Sequence, residues 1–93
     1  MARYSAVCEY VQDGDTFRTT KKNWIRLANV CAPDEGEEGY ERAKRILENL
    51  ILGKEIVYEQ VGTSYDRIVA EVWIDGTSVN AYMRQQGYTC PQQ

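Results

Sequence analysis

A chain of 93 residues has room for one domain and no second core; at this size about 60–65% of the unfolded surface is buried on folding. Its 43% hydrophobic and 27% charged residues, with no low-complexity stretch, exclude a disordered or fibrous chain. The net charge of −3 speaks against broad polyelectrolyte binding, and the absence of histidine speaks against a tetrahedral zinc site.

The amino-terminal residues lack the apolar run of a signal peptide, and no segment has the length of a membrane span, so the expected location is cytoplasmic. Cys8, Cys31 and Cys90 show no CxxC spacing. Reduced, partly buried thiols are the simplest reading, above all for Cys8, and a Cys8–Cys90 bridge stays open.

The first predicted element is a strand from Arg3 to Gln12, rich in Tyr and Val. Asp13-Gly14 predicts a type I′ turn, in which both central residues take positive φ. A second strand runs from Asp15 to about Thr19, Lys21-Lys22-Asn23 turns the chain, and Trp24 to Val30 forms the third strand, ended by Pro33.

From Glu37 to Leu52 the apolar residues Tyr40, Ala43, Leu47, Leu50 and Ile51 recur at three- and four-residue steps, which predicts a helix with one buried face. Glutamates crowd its start, where the helix dipole favours negative charge, and Gly53 fits the left-handed residue beyond its end. Glu55 to Val61 is a fourth strand, Gly62 to Asp66 a turn, and Arg67 to Ile74 a fifth strand. In the fifth, Ile68, Ala70, Val72 and Ile74 share one face and Glu71 and Trp73 the other. Asp75-Gly76 is a second hairpin signal, and Ser78 caps a short helix from Val79 to Gln86, closed by Gly87.

Three strands, a helix, two strands and a helix make a mainly β chain with two helices. That order suits a five-stranded OB-like β-barrel occupying residues 1–93 as a single domain. With one Phe in the chain, most of the seven tyrosines and two tryptophans are expected to serve the core.

Four stretches in order resemble the staphylococcal nuclease family: Asp13-Gly14-Asp15-Thr16; Ile25 to Asp34 (IRLANVCAPD); Tyr65-Asp66-Arg67; and Gly76 to Gly87 (GTSVNAYMRQQG). The resemblance implies a calcium-dependent phosphodiesterase acting on DNA or RNA. Attack of water on a phosphodiester builds charge on the non-bridging oxygens, which a hard cation and guanidinium forks stabilise.

By position, the resemblance makes Asp15 a metal carboxylate with Thr16 supporting it, and gives the Ala32 backbone carbonyl as a further metal ligand. Arg26 and Arg67 match the two phosphate arginines, and Tyr65 matches a residue that contacts the phosphate. Gln85 and Gly87 match the family's helix end and carry no chemistry.

Two departures fall in one loop. Cys31 stands where the family has a second metal aspartate, and a thiol is a poor calcium ligand; it reads first as a small buried hydrophobe. Asp34 stands where the family has its glutamate base and is shorter by one methylene, about 1.3–1.5 Å of reach. Errors of roughly 1 Å can cost about a hundredfold in rate. Glu35 is the nearest candidate for a replacement oxygen. Asp66 replaces a usual glycine, and the family continues beyond Gly87 into a helix that lines the nucleotide site, so one wall is expected to be missing.

The two functional expectations are therefore a weak or metal-altered nuclease and a degenerate module that binds nucleic acid or a protein partner. An oligomer in which a partner supplies the missing wall is a third.

Overall fold

The computed structural model describes residues 2–91. Six strands and two helices follow in the order β1 (Tyr4–Asp13), β2 (Thr16–Thr19), β3 (Trp24–Leu27), α1 (Tyr40–Ile51), β4 (Glu55–Ser64), β5 (Arg67–Ile74), β6 (Thr77–Ser78) and α2 (Val79–Gln85). The fold is mostly β with two helices.

β1 makes ring closure feasible. Its first half, Tyr4 to Val7, pairs with β4, and its second half, Cys8 to Asp13, pairs with β2. Irregularities between Cys8 and Tyr10 and between Val11 and Asp13 bend it, as bulges do at barrel corners. β2 then pairs with β3, β4 with β5, and a parallel β3–β5 pairing joins Ile25, Arg26 and Leu27 to Ile68, Val69 and Ala70. The five strands form a closed ring, and the two-residue β6 hangs on β5.

Alternation fills the ring's interior. Phe17, Ile25, Leu27, Ile56, Ala70 and Val72 are buried within it. Leu47 and Ile51 from α1 and Val79 and Met83 from α2 belong to the same cluster. Asn80 fastens α2 to the ring: its amide donates to Ala28 O (3.0 Å) and Ala70 O (3.1 Å), and its Oδ1 accepts from Val72 N (2.8 Å). Ser78 caps α2 as expected, accepting from Ala81 N at 3.1 Å.

Several local expectations change. Gly14-Asp15, flanked by Asp13 and Thr16, is the first hairpin turn, and neither Asp13 nor Gly14 has positive φ. Gly14 is needed for space: a Cβ there would lie 2.6 Å from that of Ala43 and 2.8 Å from that of Ala32. Asp75 and Gly76, by contrast, both take positive φ (49° and 80°), as a type I′ hairpin requires.

Helix α1 begins at Tyr40, not Glu37, because Gly36 and Gly39 both turn left-handed just before it. β3 ends at Leu27, with left-handed Asn29 breaking the strand and Val30 left as a lone bridge to Thr89.

The aromatic expectation fails most clearly. Tyr58 is the only Tyr or Trp of the described residues to be buried, and it and Phe17 are the only aromatic side chains buried in the core among the described residues. No helix among the described residues is long and apolar enough to cross a membrane.

Candidate functional site

The β1–β2 hairpin and the loop after β3 meet at Asp15. This side chain is only 6% exposed, and two neutral donors occupy its carboxylate. Thr16 Oγ1 donates to Oδ1 at 2.8 Å, and the Ala32 backbone N–H donates to Oδ2 at 3.0 Å. The second bond depends on Gly14, whose missing side chain lets the loop and α1 approach.

Arg26 reaches the same carboxylate from β3, with Nη2 3.9 Å from Asp15 Oδ2. Its guanidinium is steadied by donation from Nη1 to Leu27 O (3.2 Å) and from Nη2 to Cys31 Sγ (3.7 Å). Asp15, Thr16, Arg26, Cys31 and Ala32 are thus brought together.

Arg67, at the start of β5, is half-buried and lies near Ser64 Oγ (Nη2, 3.5 Å). The β3–β5 register sets Arg26 beside Val69, two residues along from Arg67. Residues two apart share a strand face, so both arginines stand on the outer face of the ring, one diagonal step apart, about 7–8 Å between backbones. Tyr65 sits at the β4–β5 turn, 95% exposed and with φ of 57°. It stands two residues before Arg67.

Asp34 is exposed and lines a cavity of about 330 Å³ with Tyr10, Gln12, Asp13, Glu35 and Tyr40. Neither Arg26 nor Arg67 lines that cavity.

Two residues matter to which the sequence reading gave no role at this site. Asp13 is 4% exposed, and its Oδ1 accepts from Asp15 N at 3.0 Å. Burial, then the Asp15 carboxylate beside it and the nearby charge of Asp34, push its carboxyl up to about 7. The doubled aspartate of the hairpin motif was the available signal.

The other is Cys90, which forms a disulfide with Cys31. This corrects both the reading of Cys31 as a reduced buried thiol and the Cys8–Cys90 alternative. Cys8 is the free thiol, buried as expected, with burial raising its pKa. The tail comes to Cys31 because Cys31 N donates to Tyr88 O (2.9 Å) beside the Val30–Thr89 bridge. Such tail pairing is invisible in a sequence of three unspaced cysteines.

The profile of the Staphylococcal nuclease homologue family matches residues 24–92, most of the chain. The chain belongs to that family. Arg26, Ala32, Asp34, Tyr65 and Arg67 lie inside the matched segment, whereas Asp15 and Thr16 precede it. No curated protein matches the chain.

The staphylococcal nuclease family is typically calcium-dependent, and the donor set here fits that ion poorly. Calcium takes six to eight oxygen ligands. Cys31 is committed to Cys90, Asp15 is held by two hydrogen-bond donors, and no group of three or more Asp, Glu, His or Cys side chains among the described residues is arranged to share a cation.

Proposed function

We propose that this staphylococcal nuclease homologue binds the phosphate backbone of DNA or RNA at the Arg26–Arg67 face without efficient hydrolysis. The observation that carries this reading is the Cys31–Cys90 disulfide at the position of a family metal carboxylate. It removes a hard ligand and leaves both arginines on one face. Guanidinium groups bind phosphate by charge-assisted hydrogen bonds that need no metal.

Arg26 is anchored to Leu27 O and faces a single buried carboxylate, which supports a pre-set phosphate donor more than an internal ion pair at 3.9 Å. The test is oligonucleotide binding followed by calorimetry or fluorescence, with cleavage assayed in parallel. Arg26→Ala and Arg67→Ala should each lose about 1.5–3 kcal/mol of binding, the usual worth of a charged hydrogen bond. Unchanged binding in both variants would contradict the reading.

A second reading, slow phosphodiester hydrolysis, is favoured by one observation. The charge of Asp34 acts on Asp13, so its carboxylate stands near the hairpin that carries Asp15. There Asp34 would orient a water while Arg26 and Arg67 hold the phosphate and Tyr65 flanks the entrance. Cleavage of single-stranded DNA above an Asp15→Ala control, with calcium, manganese or magnesium, would favour it.

The location belongs to the same proposal. Disulfides persist in oxidising compartments, so the Cys31–Cys90 bridge supports one of those over the cytoplasm.

A further inference from the structure

Strand register lines up four side chains on the outside of the ring. Tyr10 on β1 is paired with Arg18 on β2, and Arg18 with Trp24 on β3. The parallel β3–β5 register pairs Ile25 with Ile68, so one step back it sets Trp24 beside Arg67. The row therefore alternates ring, cation, ring, cation across four strands. At the usual strand spacing it spans about 14 Å.

The contacts follow this register. The Tyr10 and Trp24 rings meet edge to face with centroids 6.1 Å apart, and the Arg18 guanidinium lies over both, at 5.5 and 5.3 Å. Tyr10 is exposed and Trp24 half-buried, so neither ring is spent on the core. Arg67, one end of the row, is also one of the two proposed phosphate arginines. Glu9 opposes this charge, holding Arg18 (2.6 Å) and Lys22 (2.8 Å), and at the Tyr10 end of the row Asp34 and Glu35 line the adjoining cavity.

We infer that this row is a track for single-stranded nucleic acid, leading a strand from the arginine pair across Trp24 toward Tyr10. Bases stack on aromatic faces whatever their identity, and interleaved cations follow the phosphates. Glu9 tempers the track: it fixes Arg18 over the rings and offsets one positive charge. The inference rests on the nucleic-acid reading above and extends it to residues beyond the matched phosphate positions.

The experiment compares a dinucleotide with an octanucleotide, a length within the roughly 4–16 nucleotides that one OB barrel covers. Binding is titrated on the wild type, Trp24→Leu, Glu9→Gln and Arg67→Ala, each checked for native circular dichroism. The track predicts tighter binding of the octanucleotide than of the dinucleotide by the wild type. Trp24→Leu should weaken the octanucleotide about 5- to 150-fold, the span for loss of one base–aromatic stack. Glu9→Gln should tighten the octanucleotide and steepen its salt dependence.

Dinucleotide binding that depends on Arg67, with no gain from length and no response to Trp24→Leu or Glu9→Gln, would overturn the track and leave the phosphate site standing. Absence of binding to either oligonucleotide would overturn both. Because Glu9→Gln acts in the opposite direction, a loss caused by misfolding of Trp24→Leu cannot imitate the expected pattern.

Discussion

Asp13 is a carboxyl buried beside another carboxylate, and its titration links the site to stability. In the unfolded chain it ionises near 3.8, and in the folded chain at about 7. Between those values the folded state keeps a proton that the unfolded state releases, so stability falls as pH rises through that window. Below the window the group is neutral in both states and its contribution is fully present. Asp13→Asn, which keeps an acceptor for Asp15 N, should flatten this loss, so denaturation midpoints at pH 5 and pH 8 should converge. Equal pH dependence in variant and wild type would rule out Asp13 as the source.

Asn80 works at the same scale. Its three hydrogen bonds satisfy backbone groups of Ala28, Ala70 and Val72 that no water reaches easily. Asn80→Ala should cost about 1–3 kcal/mol in urea denaturation, because Val72 N loses its partner inside the fold, whereas Ala70 O keeps Ala28 N and Ala28 O keeps Arg84. A change within 0.5 kcal/mol, the usual range for an ordinary surface site, would show that solvent replaces the amide.

At the scale of elements, the β1–β2 hairpin, the 28–34 loop and the tail act together. The disulfide spans a sequence separation of 59, for which chain-entropy reasoning gives about 4 kcal/mol at most. Cys90→Ser, or reduction of the wild type, should lower the melting temperature and raise amide exchange at Cys31 and Ala32. Unaltered protection there would mean that the Cys31 N–Tyr88 O hydrogen bond holds the tail without the disulfide. Gly14→Ala should be destabilising by about 1–3 kcal/mol through overpacking against Ala32 and Ala43.

How well elements could be read from sequence followed from how local their causes are. The strand from Arg67 to Ile74 and the Ser78 cap were legible because alternation and capping act within a few residues. The start of α1 was misjudged because glutamates at a helix start are favourable only if the backbone continues helical, and Gly36 and Gly39 prevent that. The first hairpin was misread for another reason: Gly14 answers to Ala43, far along the chain, and not to its own turn. The Cys31–Cys90 bridge depends on tail pairing and left no local trace.

For the whole molecule, closure of the ring by β3 and β5 converts scattered sequence motifs into one surface. Arg26 and Arg67, 41 positions apart in the chain, come to share an outer face because a parallel pairing joins their strands. The resemblance of motifs singles out the arginines and Asp15, and the ring explains why Arg26 lies beside Asp15 and why Arg67 shares a face with Arg26. It could not foresee that most of the tyrosines and both tryptophans would stay out of the core, since that depends on a largely aliphatic core filling the interior without them.

The central claim is that phosphate is held here while turnover is disabled by the loss of a metal carboxylate at Cys31. The most direct measurement is a paired one: binding and cleavage of a single-stranded oligonucleotide by the wild type with and without calcium. The account predicts saturable binding that survives chelation, weakens in Arg26→Ala and Arg67→Ala, and is accompanied by no cleavage above the Asp15→Ala level. Cleavage by the wild type that depends on calcium and disappears on chelation would contradict it.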